Sequence, residues 1–418
     1  MTGSPGRTGP ATSGGGLDAP DGFDTMWTDL APLGRLGDGG YDRFAWTRTD
    51  DVLRTWFTAQ AASRGLDVEQ DRAGNLWAWW GDPDAAVAAG TPGVVVGSHL
   101  DSVPSGGAFD GPLGVVSALA AVDALQARER EPARPVGVLV SAEEEGARFG
   151  LACAGTRLLT GGLDPDRARS LRDRDGTTLA EAFGVSGHDP DSLGADPRAL
   201  GRVGAFVELH VEQGRGLVHL ERAVGVASSI WPHGRWRFDL TGRADHAGTT
   251  PLADRDDPVL RLAAVVVEAR AAAVRHACLA TVGKVDVRPN GVNAVASTAT
   301  VWLDVRSGSA AAVQAVVADV SRVAGVAPRC ESSTAATPFD PTMTARASDL
   351  LARAPVLSTG AGHDAGVLAA AGVPTTMLLV RNPTGVSHSP HEHAEREDCL
   401  AGVEALTTVL SDLLSERP

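Results

Sequence analysis

Short apolar runs recur along the chain, and several are followed at once by polar, chemistry-bearing residues. Val94-Val95-Val96 leads into Gly97-Ser98-His99-Leu100-Asp101, and Val136 to Val140 leads into Ser141-Ala142-Glu143-Glu144-Glu145-Gly146. Ala205 to Glu212 alternates apolar and polar residues, which predicts a strand carrying Glu208, His210 and Glu212 on one face. Thr376 to Val380 is another apolar run, and the loop after it contains Ser387-His388-Ser-Pro-His391-Glu392-His393. Runs of this kind predict strands buried on both faces, and Ala-rich stretches such as Val115 to Ala127 predict helices covering them. The fold class is therefore α/β: a mixed, largely parallel sheet with helices on both faces. In such sheets the loops beyond the carboxyl ends of the strands open onto a ligand crevice, so the polar residues above are candidates for chemistry.

A different rhythm occupies residues 225–338. It predicts strand (Arg235 to Leu240), helix (Pro258 to His276), strand (Thr281 to Val287), strand (Ser297 to Val305), helix (Ala310 to Ala324) and strand (Pro328 to Ser333). That order, β-α-β-β-α-β, is ferredoxin-like. It predicts an inserted α+β domain over 225–338, dividing a catalytic domain into 23–224 and 339–418. A Gly-rich loop from Gly360 leads into a helix near Ala371. Residues 1–22 are rich in Gly, Pro, Ser and Thr and read as a disordered tail.

The 418 residues are enough for two cores, in line with this division. A net charge of −15 argues against nucleic-acid and anionic-membrane partners. Four scattered cysteines form neither a Cys-x-x-Cys pair nor a dense framework, which suits a reducing cytoplasm. No run is long enough to span a bilayer, and the start lacks the pattern of a secretory signal, so a cytoplasmic location is expected.

His99 and Asp101, with Asp110 before a Gly-Pro-Leu-Gly helix start, supply an imidazole, an orienting carboxylate and a carboxylate able to bridge two ions. In Glu143-Glu144-Glu145, three adjacent carboxylates repel one another unless cations or water neutralise them, so one can bind a metal while its neighbour takes a proton from water. Taken singly, each segment also has a structural reading: a hydrogen-bonded loop, a solvated charged face, a packed histidine. Four of them, each ending a strand, point to metal-assisted hydrolysis.

The ordered set of motifs resembles the peptidase M20 superfamily. Gly-Ser-His-Leu-Asp, Gly-Gly-Ala-Phe-Asp-Gly, Glu-Glu-Glu-Gly-Ala-Arg-Phe, Glu-Leu-His-Val-Glu-Gln-Gly, Asp-His-Ala-Gly-Thr-Thr-Pro, Arg-Pro-Asn-Gly-Val-Asn, Gly-Ala-Gly-His-Asp-Ala and Ser-His-Ser-Pro-His-Glu follow one another from about Trp27 to the C-terminus. They are similar to the branch containing allantoate amidohydrolases, N-carbamoyl-L-amino-acid hydrolases and β-ureidopropionases. The resemblance implies two divalent ions per subunit, zinc favoured and manganese or cobalt also suited to the donors. His99, Asp110 and His210 would hold one ion and Asp110, Glu145 and His388 the other. Asp101 would orient His99 from behind, and Glu144 would act as general base.

It further implies that the inserted domain serves as a lid and forms a homodimer. His246 would stabilise the oxyanion, Arg306 would clamp the substrate carboxylate and Asn293 would support it. Gln213, Gly362 and His363 would line the same cleft, although His363 is equally readable as a packed structural residue. The implied partner is a small ureido carboxylate. Allantoate is favoured by the Ala-Phe-Val-Glu-Leu-His, Glu-Glu-Glu-Gly and Gly-Lys-Val-Asp-Val-Arg-Pro-Asn segments, with an N-carbamoyl-L-amino acid as the alternative. His210 stands where peptidase relatives carry an acid, which counts against an aminopeptidase or dipeptidase, and the full ligand set counts against a silent binding protein. Arg215 after Glu-Gln-Gly, where Pro is common, departs from the pattern, as does the Asn-Ala-Val-Ala-Ser segment from Asn293.

Overall fold

The computed structural model describes residues 19–128 and 132–415. In chain order the strands are β1 (Asp67–Gln70), β2 (Leu76–Trp80), β3 (Gly93–His99), β4 (Val136–Ser141), β5 (Val203–Val211), β6 (Val224–Ile230), β7 (His233–Thr241), β8 (Asp245–His246), β9 (Leu279–Arg288), β10 (Ala294–Val295), β11 (Thr298–Arg306), β12 (Arg329–Thr334), β13 (Thr337–Pro338), β14 (Val356–Thr359) and β15 (Thr375–Val380). A nine-stranded sheet runs β1-β2-β4-β3-β5-β15-β6-β13, with β14 alongside β6. Its centre, β4-β3-β5-β15, is parallel, while β2 and β6 flank it antiparallel. The four apolar runs read from the sequence are these four central strands, and their carboxyl ends lie side by side.

Side-chain alternation gives this sheet two apolar faces. Val94, Val96, Val207, Leu209, Val211, Leu378 and Val380 pack in one core with the helices Pro112–Gln126 and Arg396–Ser415. Val95, Leu139, Phe206, Met377 and Leu379 pack in the other, with the helix Asp364–Ala370.

The remaining four long strands form a separate antiparallel sheet in the order β12-β7-β11-β9. Its inward residues, including Trp236, Phe238, Leu240, Val301, Leu303 and Val305, share a core with the helices Pro258–Arg275 and Ala310–Ala324. The predicted β-α-β-β-α-β sequence is present, with ends displaced by a few residues at most.

The boundaries expected at 225 and 338 need correction. β6 pairs with β15 and β13 pairs with β6, so both belong to the large sheet. The backbone crosses between the sheets at Trp231-Pro232 and again after Thr334. Hydrophobic pattern cannot separate a strand of one sheet from the next strand of another when they adjoin in sequence. The tail expected over 1–22 lies mostly outside the described residues, although its end already forms the start of the helix Ala19–Leu30. No helix among the described residues is long and apolar enough to cross a membrane.

Candidate active site

The loops leaving β3, β4, β5 and β15 bring together most of the residues singled out above. His99 ends β3 and is almost fully buried; its Nδ1 faces the backbone carbonyl oxygen of Asp101 at 3.1 Å. Its Nε2 is 3.7 Å from Asp110 Oδ1 and 3.7 Å from Glu144 Oε2. His210, on β5, places Nε2 3.1 Å from Asp110 Oδ1, while its Nδ1 is 2.9 Å from the carbonyl oxygen of Val211. From the loop after β15, His388 brings Nε2 to 3.5 Å from Asp110 Oδ2 and 3.7 Å from Glu145 Oε2. Asp110 thus lies between three imidazoles, with each of its oxygens toward a different group.

Local backbone chemistry makes this convergence possible. Gly111 adopts φ +86, and a Cβ there would come within 2.4 Å of the His99 ring, so only glycine lets Asp110 turn beneath that imidazole. Asp101 does more than orient His99. Its carboxylate accepts the backbone N–H groups of Glu144 at 3.2 Å and Glu145 at 3.0 Å, clamping the acidic turn, while its Oδ1 lies 3.5 Å from His99 Nδ1. Glu143, with φ +51, turns away and accepts the backbone N–H groups of Arg148 and Phe149 at 3.1 and 2.8 Å. Of the three adjacent glutamates, one braces the loop and two face the cluster.

Charge in the cluster is strongly perturbed. Burial alone would lower the His99 imidazole, but Glu144, Asp101 and Glu145 together hold it well above its ordinary value. Burial and then the Asp110 charge push Glu145 up to about 8. Burial likewise raises Glu144 well above the usual carboxylate range. For Asp110 burial is outweighed by His210, His99 and His388, which keep it below its ordinary value.

The donor set fits a pair of divalent ions. His99, Asp110 and His210 offer ligand atoms within 4.8 Å of one another, as do Asp110, Glu145 and His388, and Asp110 is common to both groups. His99 Nε2 and Glu145 Oε1 are buried and lack a hydrogen-bond partner among the described residues, a costly state for polar atoms that have no further ligand. Two other groupings, Glu208-His210-His363 and Glu144-Cys153-Asp364, contain carboxylates held by hydrogen bonds. Glu208 accepts from Ser98 Oγ and the backbone N–H of Ala365, and Asp364 accepts from Ser141 Oγ and Thr156 Oγ1.

Gln213 reaches the cluster, donating from Nε2 to Asp110 Oδ2 at 2.7 Å. His363 is buried with its ring 4.5 Å from that of His210, and burial holds it well below the usual imidazole value. Gly362 is exposed in the loop before it. Arg306 donates from Nη1 to the Gly360 carbonyl oxygen in the same loop, at 3.0 Å. His246 is exposed on β8 and Asn293 is exposed just before β10; His246 Nδ1 accepts from the backbone N–H of Gly248, and the Asn293 carbonyl oxygen accepts from Ala247. Among the described residues the hydrogen bonds of both are local, including those to Asp245, Ala247 and Gly248.

Sequence reasoning passed over Glu392, Ser387 and Cys153. Glu392 Oε2 accepts the backbone N–H groups of Phe109 and Asp110, Ser387 Oγ donates to Asp110 Oδ2 at 3.2 Å, and Cys153 Sγ lies 3.3 Å from Glu144 Oε1. Glu392 and Ser387 stood within the His388 motif; nothing in the sequence marked Cys153. His391 is exposed, and His393 lies 3.3 Å from Glu395 and edge-on to Phe109, so the metal-ligand groupings include neither.

Imidazoles and carboxylates converging at the ends of adjacent parallel strands form a candidate active site of the kind that metal-assisted hydrolysis requires. The chain belongs to peptidase family M20/M25/M40, whose model matches residues 95–412. It is similar to an N-carbamoyl-L-amino acid amidohydrolase of Geobacillus stearothermophilus, with 36% identity over 407 residues, covering 92% of this chain and 96% of that protein. An allantoate amidohydrolase of Escherichia coli (strain K12) is 30% identical over 399 residues, covering 92% of this chain and 95% of the relative. The crystal structure of a hydantoinase/carbamoylase-family amidase from Burkholderia vietnamiensis aligns with a TM-score of 0.85 at 29% identity, over 96% of this chain and 98% of the other.

Proposed function

We propose that this protein hydrolyses the ureido C–N bond of a small carboxylate-bearing substrate, releasing ammonia and carbon dioxide. The observation that carries the reading is the shared carboxylate Asp110 between His99, His210 and His388, with Glu144 beside it. His99, Asp110 and His210 would hold one divalent ion and Asp110, Glu145 and His388 a second. When bound, such ions polarise the carbonyl and acidify water, which an unreactive urea requires. Glu144 takes the proton from water and returns it to the departing nitrogen. Its Oε2 faces the cluster while the Cys153 thiol donates to Oε1, which aims the basic oxygen inward.

Arg306 reads the substrate carboxylate, for which a planar guanidinium supplies paired hydrogen bonds. Asn293 supports it, and Gln213, Gly362 and His363 line the cleft. Allantoate is favoured by the sequence motifs and an N-carbamoyl-L-amino acid by the 36% identical relative. Ammonia release from allantoate, measured beside a panel of N-carbamoyl-L-amino acids, separates them. Release from neither would reject the proposal.

The working unit is a homodimer formed through the four-stranded sheet. β9 is an edge strand, and Leu260, Val267 and Val274 lie exposed at seven-residue spacing on the adjoining helix, 70–73% accessible. A long apolar stripe beside an open edge favours a second copy of the same surface. In that dimer His246 serves the partner's site.

A further inference from the structure

Arg306 ends β11, and two groups already hold its guanidinium. Nε donates to Asp304 Oδ1 at 2.8 Å, Nη2 donates to Asp304 Oδ2 at 3.4 Å, and Nη1 donates to the Gly360 carbonyl oxygen at 3.0 Å. Asp304 stands two residues earlier on the same strand, so the two-residue period puts both side chains on the sheet's open face, opposite the buried Leu303 and Val305. The Gly360 contact is fixed in turn. A Cβ at Gly360 would come within 2.9 Å of the Trp231 ring, and Trp231 Nε1 donates to Ser358 Oγ at 2.6 Å.

A guanidinium has five N–H donors in a rigid fork. Three are engaged here, which leaves one on Nη1 and one on Nη2. Two donors on neighbouring nitrogens are what a carboxylate accepts in a bidentate pair. An arginine without these contacts would sample many rotamers, and ordering it on binding would weaken the complex.

We propose that Asp304 is a positioning residue for substrate recognition: with the Gly360 carbonyl it holds Arg306 so that only a two-donor fork remains, matched to a single substrate carboxylate. This rests on Arg306 being the carboxylate's partner.

The test compares steady-state kinetics on an N-carbamoyl-L-amino acid, or on allantoate if that is the substrate turned over, with inhibition by the same molecule carrying a carboxamide in place of the carboxylate. Asp304→Ala raises KM about tenfold or more and leaves kcat within roughly twofold, because the fork is disordered while the reacting groups are untouched. Asp304→Asn retains an acceptor oxygen for the Arg306 Nε–H and recovers most of the loss. The carboxamide's inhibition constant stays nearly constant in both variants. An unchanged KM in Asp304→Ala overturns the proposal, and so does an equal rise in the carboxamide's inhibition constant, which would mean the cleft had merely deformed. Arg306→Ala distinguishes the two levels. If it raises KM while Asp304→Ala does not, only the positioning role falls; if neither does, the carboxylate reading itself is wrong and the proposal falls with it.

Discussion

The backbone N–H of Asp110 donates to Glu392 Oε2 at 3.0 Å, tying the shared carboxylate of the cluster to a loop more than two hundred residues away in sequence. The same oxygen accepts from Phe109, and a Cβ at Gly107 would collide with the Glu392 side chain. Glu392 therefore sets where Asp110 sits. Glu392→Ala should weaken zinc binding by about 10–100-fold, the usual effect of losing a group that orients a ligand. Competition with a chromophoric chelator measures this, and unchanged affinity would show that Asp110 holds its place unaided.

Glu144 and Glu145 adjoin in sequence but should fail differently. Glu144→Gln is expected to keep metal content and lose turnover by roughly a hundredfold or more, the scale of a lost general base. Glu145→Gln should lose metal as well as activity. Elemental analysis alongside turnover distinguishes them, and near-normal turnover in Glu144→Gln would reassign the base.

Loading the metal-free site should release protons. Carboxylates raise His99 despite its burial, and burial, aided by the Asp110 charge, raises Glu145 to about 8, so near neutral pH the empty cluster carries protons that ligands must shed. Groups with raised values lose these protons as pH climbs, so apparent zinc affinity should rise as pH increases from neutrality. Calorimetry in buffers of different ionisation enthalpy reads the proton count directly. Zero release near neutral pH would show that the cluster is already deprotonated.

Mixing chains tests the dimer. Glu144→Gln and His246→Ala chains, each inactive alone, should regain partial activity when co-assembled, since one site of a mixed dimer receives both missing groups. No recovery in confirmed mixed dimers would remove His246 from the partner's site and leave the cluster's chemistry intact.

Much of this architecture was legible because burial on both faces forces strands such as Val94–Val96 and Val136–Val140 to be uniformly apolar, so the first polar residue beyond them marks the strand's end. The two-residue period likewise placed His210 and Glu208 on one face of β5. Tertiary contacts carry no such local signature. Cys153 reaches Glu144 only because the turn at Glu143–Glu145 folds back onto the helix start, and its apolar neighbours in sequence, Leu151, Ala152 and Ala154, make it look like any core cysteine. The assignment of Val224–Ile230 to the large sheet depends on pairing with β15, far along the chain.

Ureido hydrolysis that depends on the cluster around Asp110 must follow metal content, and ammonia release measured as ions are removed and restored reads this dependence. Protein stripped by chelation should release no ammonia from allantoate or from any N-carbamoyl-L-amino acid. Activity on at least one of them should return with added zinc or manganese and saturate at two ions per chain by elemental analysis. Full activity in a preparation shown to contain no metal would mean that the cluster around Asp110 works without bound ions.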